Sequence, residues 1–172
     1  KVKSALVGTL GMWMENSLWR DMGMTTPDPD ILFGFLKLCL NNGIKVIFME
    51  VSSQALLHFR VDPICFDYCI FTSFSQDHLD LHGTLHNYLD AKLRLFNELS
   101  SCHEHNLFST SVLKQNLFQI NSKSKTFGSK KDDPAYDHHL DSSQAFHFSG
   151  EYGNYKIDKH MNPDFFNDNF LA

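Results

Sequence analysis

The sequence predicts an α/β protein built on a mostly parallel sheet with crossover helices, turning more antiparallel in its last third. Two observations predict the parallel part. Short apolar runs rich in β-branched and aromatic residues, Ala5–Val7, Ile44–Met49 and Phe66–Thr72, read as strands. Segments with apolar residues at helical spacing, 26–43 and 84–99, lie between and after them. Strand and helix in alternation is the pattern of parallel strands joined by crossovers.

Taken in order, Ala5-Leu6-Val7 is a short strand ending in Gly8-Thr9. Met12 to Met24 carries Met and Trp at irregular spacing and reads as a loop or hairpin whose apolar residues pack. Thr26-Pro27-Asp28 opens a helix with a threonine cap, a proline in the first turn and early acids. That helix runs through Ile31, Phe35, Leu36, Leu38, Cys39 and Leu40 and stops near Gly43. The strand from Ile44 to Glu50 reads as buried on both faces, and Ser52-Ser53 as a turn and helix start. After the strand Phe66–Thr72, a helix from Thr84 to Leu99 turns Leu85, Tyr88, Leu89, Lys92, Leu95, Phe96 and Leu99 to one side. Asn106–Ser109 and Lys125–Gly128 are candidate short strands, and Gln144–Phe148 with Tyr152–Ile157 a hairpin around Gly150 and Gly153. Asp132–Ser143, with Pro134 and His138-His139, reads as a surface loop. No internal repeat or linker divides the chain. Residues 1–172 read as one domain, with the motifs in 1–99 and a divergent remainder in 100–172.

Composition narrows the class. A chain of 172 residues with 42% hydrophobic content and 16 phenylalanines has enough apolar mass for one globular core. A net charge of -5 and no long basic run argue against nucleic acid as the partner. Lys123, Lys125, Lys130 and Lys131 alternate with Ser, Thr and Gly, as in a solvated loop. Cys39, Cys65, Cys69 and Cys102 form no C-x-x-C pair and sit mainly in apolar segments, as reduced thiols of a cytoplasmic protein do. Neither a signal peptide nor a membrane-spanning run is visible, so the expectation is a soluble, cytoplasmic protein without a membrane role.

Polar residues at strand ends and on apolar helix faces point to chemistry. Glu50 closes a strand, on the rim where open α/β sheets bind ligands; it is equally a solvated strand terminus. Lys92 interrupts an apolar stripe. Either its stem packs while the ammonium reaches water, or desolvation makes the neutral amine available as a nucleophile. His78, His82 and His86 recur at zinc-like spacing, but Gly83 breaks their helix and no cysteine pair stands near; Glu50 with one histidine suits magnesium and a phosphate substrate better. The hydroxyls of Ser52 and Ser53 are caps, ligand contacts or both, and Arg60 alone is an ordinary surface arginine.

The blocks Met49-Glu50-Val51-Ser52-Ser53-Gln54-Ala55-Leu56, Arg60-Val61, Phe71-Thr72, Asp77-His78-Leu79-Asp80-Leu81-His82-Gly83-Thr84 and Ala91-Lys92-Leu93-Arg94-Leu95-Phe96 resemble the central, ATP-binding domain of the Mur ligases. Gly8-Thr9-Leu10-Gly11, Thr25-Thr26-Pro27-Asp28 and, at the end, Phe166–Ala172 follow the family's order. Within the family the likeness is to the MurE type. The resemblance implies an ATP-dependent, amide-forming ligase of peptidoglycan synthesis. Such a ligase adds the third amino acid to UDP-N-acetylmuramoyl-L-alanyl-D-glutamate through an acyl phosphate. It implies ATP and Mg2+ as cofactors, with the UDP-N-acetylmuramoyl-dipeptide and an amino acid as small-molecule partners. By position, Glu50 and His78 would be magnesium ligands, and Lys92 a carbamylated lysine whose carbamate supports a second magnesium. Thr25, Thr26, Ser52 and Arg60 would hold the nucleotide-sugar dipeptide. The chain departs from the family at Gln54, usually His, at Ser73, usually Asn, and at Met24; the Asn and Asp-Asp motif expected after the Lys92 helix has no clear counterpart.

No G-x-x-x-x-G-K-[ST] phosphate loop occurs in the sequence, and the resemblance puts one just upstream of Lys1. The expectation is therefore a partial central domain, without the phosphate loop and the flanking domains, that does not complete the reaction alone. A second reading, a non-catalytic Mur-like module that binds a nucleotide sugar or a partner protein, stays open on the sequence.

Overall fold

In the computed structural model the described residues are 2–127 and the backbone of strands 145–150 and 153–158. The elements follow in the order β1 (Ser4–Gly8), β2 (Gly11–Met14), β3 (Ser17–Arg20), α1 (Pro29–Asn41), β4 (Val46–Met49), α2 (Ser53–Leu57), β5 (Cys69–Phe71), α3 (Leu79–His82), α4 (Leu85–Asn97), β6 (Asn106–Ser109), α5 (Thr110–Leu113), β7 (Lys125–Phe127), β8 (Ala145–Gly150) and β9 (Gly153–Asp158). They fall into two compact units, one of residues 1–65 and 77–99, the other of 66–76 and 100–172.

The first unit holds a four-stranded mixed sheet in the order β3-β2-β1-β4. Its parallel pair is β1 with β4, registered Ala5 to Ile47 and Val7 to Met49, with α1 as the crossover. Met12 to Met24, expected as a loop or hairpin, contributes the antiparallel strands β2 and β3. Helix α1 begins later than the threonine cap implies. Asp28 occupies the cap position and Pro29 the first turn, while the Thr26 hydroxyl serves the backbone elsewhere. Its buried face is Leu32, Phe35 and Cys39, whereas Leu40 is exposed. It ends as expected: Gly43 has φ +71, its N–H bonds to the Leu40 carbonyl, and the Ile44 N–H reaches the Cys39 carbonyl. That pair of hydrogen bonds turns the chain directly into β4.

The expectation that β4 is buried on both faces is not met. Val46, Ile47 and Phe48 are exposed, because among the described residues β4 is the last strand of its sheet rather than a central one. A continuous apolar run marks a strand without telling centre from edge.

Helix α4 is as the apolar stripe predicts over Tyr88, Leu89 and Phe96, which are buried; Leu85 is exposed instead, and the helix ends at Asn97, before the buried Leu99. Thr84 caps it, its hydroxyl accepting the Asn87 N–H at 3.1 Å. Gly83, at φ +74, separates α3 from α4 and breaks the helix that a zinc triad at four-residue spacing requires.

The second unit contains a parallel three-stranded sheet, β5-β6-β7, and a separate antiparallel hairpin, β8-β9. Among the described residues the antiparallel part of the last third is thus the hairpin alone, and 106–109 and 125–127 are parallel strands. Phe71, Phe74, Phe108 and Phe118 form its aromatic core, with ring centroids 5.8 to 6.2 Å apart. Buried Asn106 accepts the Ser100 hydroxyl at 2.7 Å, which satisfies an amide that burial would otherwise penalise. The expected loop at 132–143 with His138-His139, and Phe166–Ala172, lie outside the described residues.

Candidate active site

The candidate site lies in the first unit and is built from three loops and two helix starts. Glu50 follows β4, and the parallel pairing carries it beside the turn after β1. There Thr9 donates both its backbone N–H and its hydroxyl to Glu50 Oε2, each at 2.8 Å. Thr9 Oγ1 also lies 3.0 Å from Thr25 Oγ1. Since the Thr9 proton goes to the carboxylate, Thr25 is the donor of that second bond. Among the described residues Oε1 carries no hydrogen bond, so one oxygen is fixed and one is left to face a ligand. The approach is close: a Cβ on Gly8 would stand 2.8 Å from Glu50 Cδ and 2.9 Å from Oε2. The glycine is required by contact, not by backbone conformation.

Thr26 organises the next step. It is buried, donates its hydroxyl to the Glu50 carbonyl at 2.9 Å and accepts the Ser52 N–H at 3.0 Å. Ser52 caps α2, its hydroxyl accepting the Ala55 N–H at 3.2 Å. Helix α2 closes at Phe59, which has φ 57; the Arg60 N–H returns to the Ala55 carbonyl and the Phe59 N–H to that of Leu56. This closure turns Arg60 back toward α1, where its Nη1 donates to the Thr26 carbonyl at 3.2 Å and its Nε pairs with Asp28 at 3.3 Å. Thr25, Thr26, Glu50, Ser52 and Arg60, far apart in sequence, are therefore one hydrogen-bonded group.

The second group surrounds Tyr88. His78 sits at the start of α3 in the left-handed region, φ 53 and ψ 29, which is costly for a side chain with a Cβ and is a kind of strain that collects at functional sites. It is exposed, 3.6 Å from Asp77 and edge-on to Tyr88 at 5.8 Å. Lys92 places its Nζ 5.4 Å from the Tyr88 ring centre. Burial pushes its pKa below the ordinary lysine value, with Asp77 opposing. His82 is buried: its Nε2 lies 3.0 Å from Ser53 Oγ, and its ring packs on Tyr88 at 5.1 Å. Burial lowers its pKa, reinforced by His78, His58 and Lys92 against Asp80.

Thr9, Tyr88 and Arg94 complete the site and were not singled out from the sequence; Ser53 was expected as a cap or ligand contact and His82 only within the zinc-like histidine spacing. Arg94 ties α4 to the α2 turn, donating to the Leu56 carbonyl and pairing with Asp62 at 2.8 Å and Glu98 at 2.8 Å. Its guanidinium covers the Phe59 ring at 4.5 Å. A second charge two residues after Lys92 in the same helix was the available signal.

Comparison with known proteins matches residues 1–172 to the model of the Mur ligase middle domain. The chain belongs to the Mur ligase family. This Mur ligase chain is 43% identical over 94 residues to the UDP-N-acetylmuramoyl-L-alanyl-D-glutamate–2,6-diaminopimelate ligase of Syntrophomonas wolfei, a stretch covering 55% of the chain and 19% of the relative. It is 41% identical over 97 residues to the enzyme of the same name from Coxiella burnetii, covering 56% and 20%. The chain thus spans about a fifth of the length of these curated relatives. A solved structure of a ligase of that name superimposes with a TM-score of 0.66 at 22% identity, over 91% of the chain and 33% of that structure, which establishes the fold. No helix among the described residues is long and apolar enough to cross a membrane.

Mur ligases are ATP-dependent, and the residues present fit a magnesium–phosphate ligand. Glu50 offers one preset hard oxygen. No group of three or more His, Cys, Asp or Glu stands ready to cage an ion among the described residues. Magnesium at phosphate sites takes one or two carboxylates and fills its shell with water and substrate oxygens, so a sparse protein donor set is appropriate.

Proposed function

We propose that this chain supplies the middle-domain chemistry of a MurE-type ligase. The reaction is ATP-dependent amide formation, adding the third amino acid to UDP-N-acetylmuramoyl-L-alanyl-D-glutamate in cytoplasmic peptidoglycan synthesis. The observation that carries the reading is the hydrogen-bonded group Thr9, Thr25, Thr26, Glu50, Ser52 and Arg60, in which the Mur ligase blocks of the sequence meet around a carboxylate with one open oxygen. Glu50, His78 and a carbamate on Lys92 would hold Mg2+. When bound, the ion and ATP supply charge neutralisation for phosphoryl transfer to the substrate carboxylate.

The chain's own residues do the rest. Thr9 holds the Glu50 carboxylate in place through its two hydrogen bonds to Oε2. Ser52 and Arg60 are the donors for substrate carboxylate and phosphate oxygens, Thr25 joins them by turning its hydroxyl from Thr9 to the substrate, and Thr26 fixes the backbone that carries them. The desolvated Lys92 amine is poised to take up carbon dioxide, since only the neutral amine reacts and the product is a hard-oxygen anion.

The test is turnover by the complete gene product, supplied with ATP, Mg2+, the UDP-N-acetylmuramoyl-dipeptide and a panel of amino acids. Diaminopimelate comes first in that panel because the similar ligases are named for it. Phosphate release that depends on one amino acid, is lost in Lys92→Ala and is partly recovered by short carboxylic acids is the expected result. A folded product that binds the nucleotide sugar and turns over no amino acid defeats the proposal.

A further inference from the structure

The ligase reading leaves His82 without a task, although it is the most buried charge-capable side chain of the Asp77–Thr84 block. It is only 6% exposed, and its Nδ1 is buried with no hydrogen-bond partner among the described residues. Native interiors seldom leave such an atom unpaired, so the ring is held there by what its other side does. That side reaches Ser53, the first residue of α2, through Nε2 at 3.0 Å, while the Asn87 amide donates to the His82 carbonyl at 2.9 Å. Of the two neutral tautomers, the one with the proton on Nε2 donates to Ser53 and strands only a lone pair at Nδ1. The other strands a buried N–H, which is rarer.

The connectivity gives this bond its meaning. Ser52 is fixed to the α1 side by Thr26, and Ser53 is fixed to the α3–α4 side by His82. Adjacent residues of one turn are thus tied to the two halves of the site, the one with Glu50 and Arg60 and the one with His78, Tyr88 and Lys92. At the other end of α2, Arg94 grips the Leu56 carbonyl from α4. The first turn has no tie to α3 but the imidazole among the described hydrogen bonds.

We propose that His82 is a positioning residue that, through Ser53, sets the α2 first turn and its Ser52 against the helices carrying His78 and Lys92. The inference rests on the ligase reading for what the turn holds, a nucleotide-sugar substrate. The tie itself is testable without it.

Amide hydrogen exchange on the unliganded chain reads the tie. In His82→Leu the Ala55 and Leu56 amides of α2 should exchange roughly five to tenfold faster, the effect of one buried hydrogen bond. Amides of α1 and β1 should be unchanged. Ser53→Ala cuts the same bond without removing a buried ring and should give the same local acceleration. His82→Gln, whose amide reaches about as far as Nε2, should restore protection. In the complete gene product, the His82→Leu and Ser53→Ala variants should raise KM for the UDP-N-acetylmuramoyl-dipeptide several-fold and leave KM for ATP unchanged. Unchanged α2 exchange in Ser53→Ala overturns the proposal, as does acceleration spread evenly over the unit or no rescue by His82→Gln. Lack of nucleotide-sugar binding by the unsubstituted product defeats the ligase reading instead, while the exchange result still decides the tie.

Discussion

Lys92 shows how a single burial choice becomes chemistry. Helix α4 buries the stem in an apolar stripe and sets the end group against Tyr88, so desolvation favours the neutral amine at pH values where an exposed lysine stays charged. Incubation with 13C-bicarbonate should give one carbamate carbon signal in the NMR spectrum of the chain, absent in Lys92→Ala. A spectrum without it, or a signal that survives the substitution, removes the carbamate from the site. Glu50 depends on its neighbour in a different way. Gly8→Ala sets a methyl 2.8 Å from the Glu50 carboxyl carbon and forces it off Thr9. The substitution gives up a charge-assisted bond of about 1.5–3 kcal/mol, so Mg2+ affinity measured by calorimetry with ATP present should fall about tenfold or more while the circular dichroism is unchanged. Lys92 was legible in the sequence because a charge inside an apolar stripe is conspicuous. His82 was not, because its partner Ser53 is 29 residues away and the four-residue histidine spacing drew attention to zinc.

At the scale of elements, helix starts carry much of the site. Ser52 caps α2 and Thr84 caps α4. Replacing either by alanine should cost about 1 kcal/mol in urea unfolding. Only Ser52→Ala should also weaken binding of the nucleotide sugar. Equal binding losses in both variants would mean that the cap, not the Ser52 hydroxyl, is what the ligand senses. Element types were readable where local rules act alone: Gly43 ends α1 through its positive φ, and Gly83 divides α3 from α4. They were misread where a distant partner competes. Thr26 looks like a cap, but its hydroxyl is engaged by Glu50 and Ser52 across the sheet end, so α1 starts at Pro29. The run 46–49 looks central because periodicity records apolarity and not the number of neighbouring strands.

At the scale of the whole molecule, buried bases make stability depend on pH. His82 keeps a pKa below the ordinary 6.5 in the folded chain, so below that pH the unfolded chain binds a proton that the folded chain refuses. Its contribution is complete above 6.5 and is lost as pH falls through the folded value. Lys92 acts in the same sense in a separate window, stability rising with pH from its lowered value to 10.5. The melting temperature should therefore drop between about pH 7 and pH 5, and drop less in His82→Gln. Parallel limbs in the two proteins would assign the acid sensitivity elsewhere. The last consequence belongs to the exposed rim of β4, where Val46, Ile47 and Phe48 are 40%, 37% and 62% exposed on the terminal strand of a sheet. Such an apolar border, last in the sheet among the described residues, is a template on which a second molecule can add a strand. Crowding rather than heat should then limit how the isolated chain is handled, with light scattering climbing steeply with concentration well below the melting temperature.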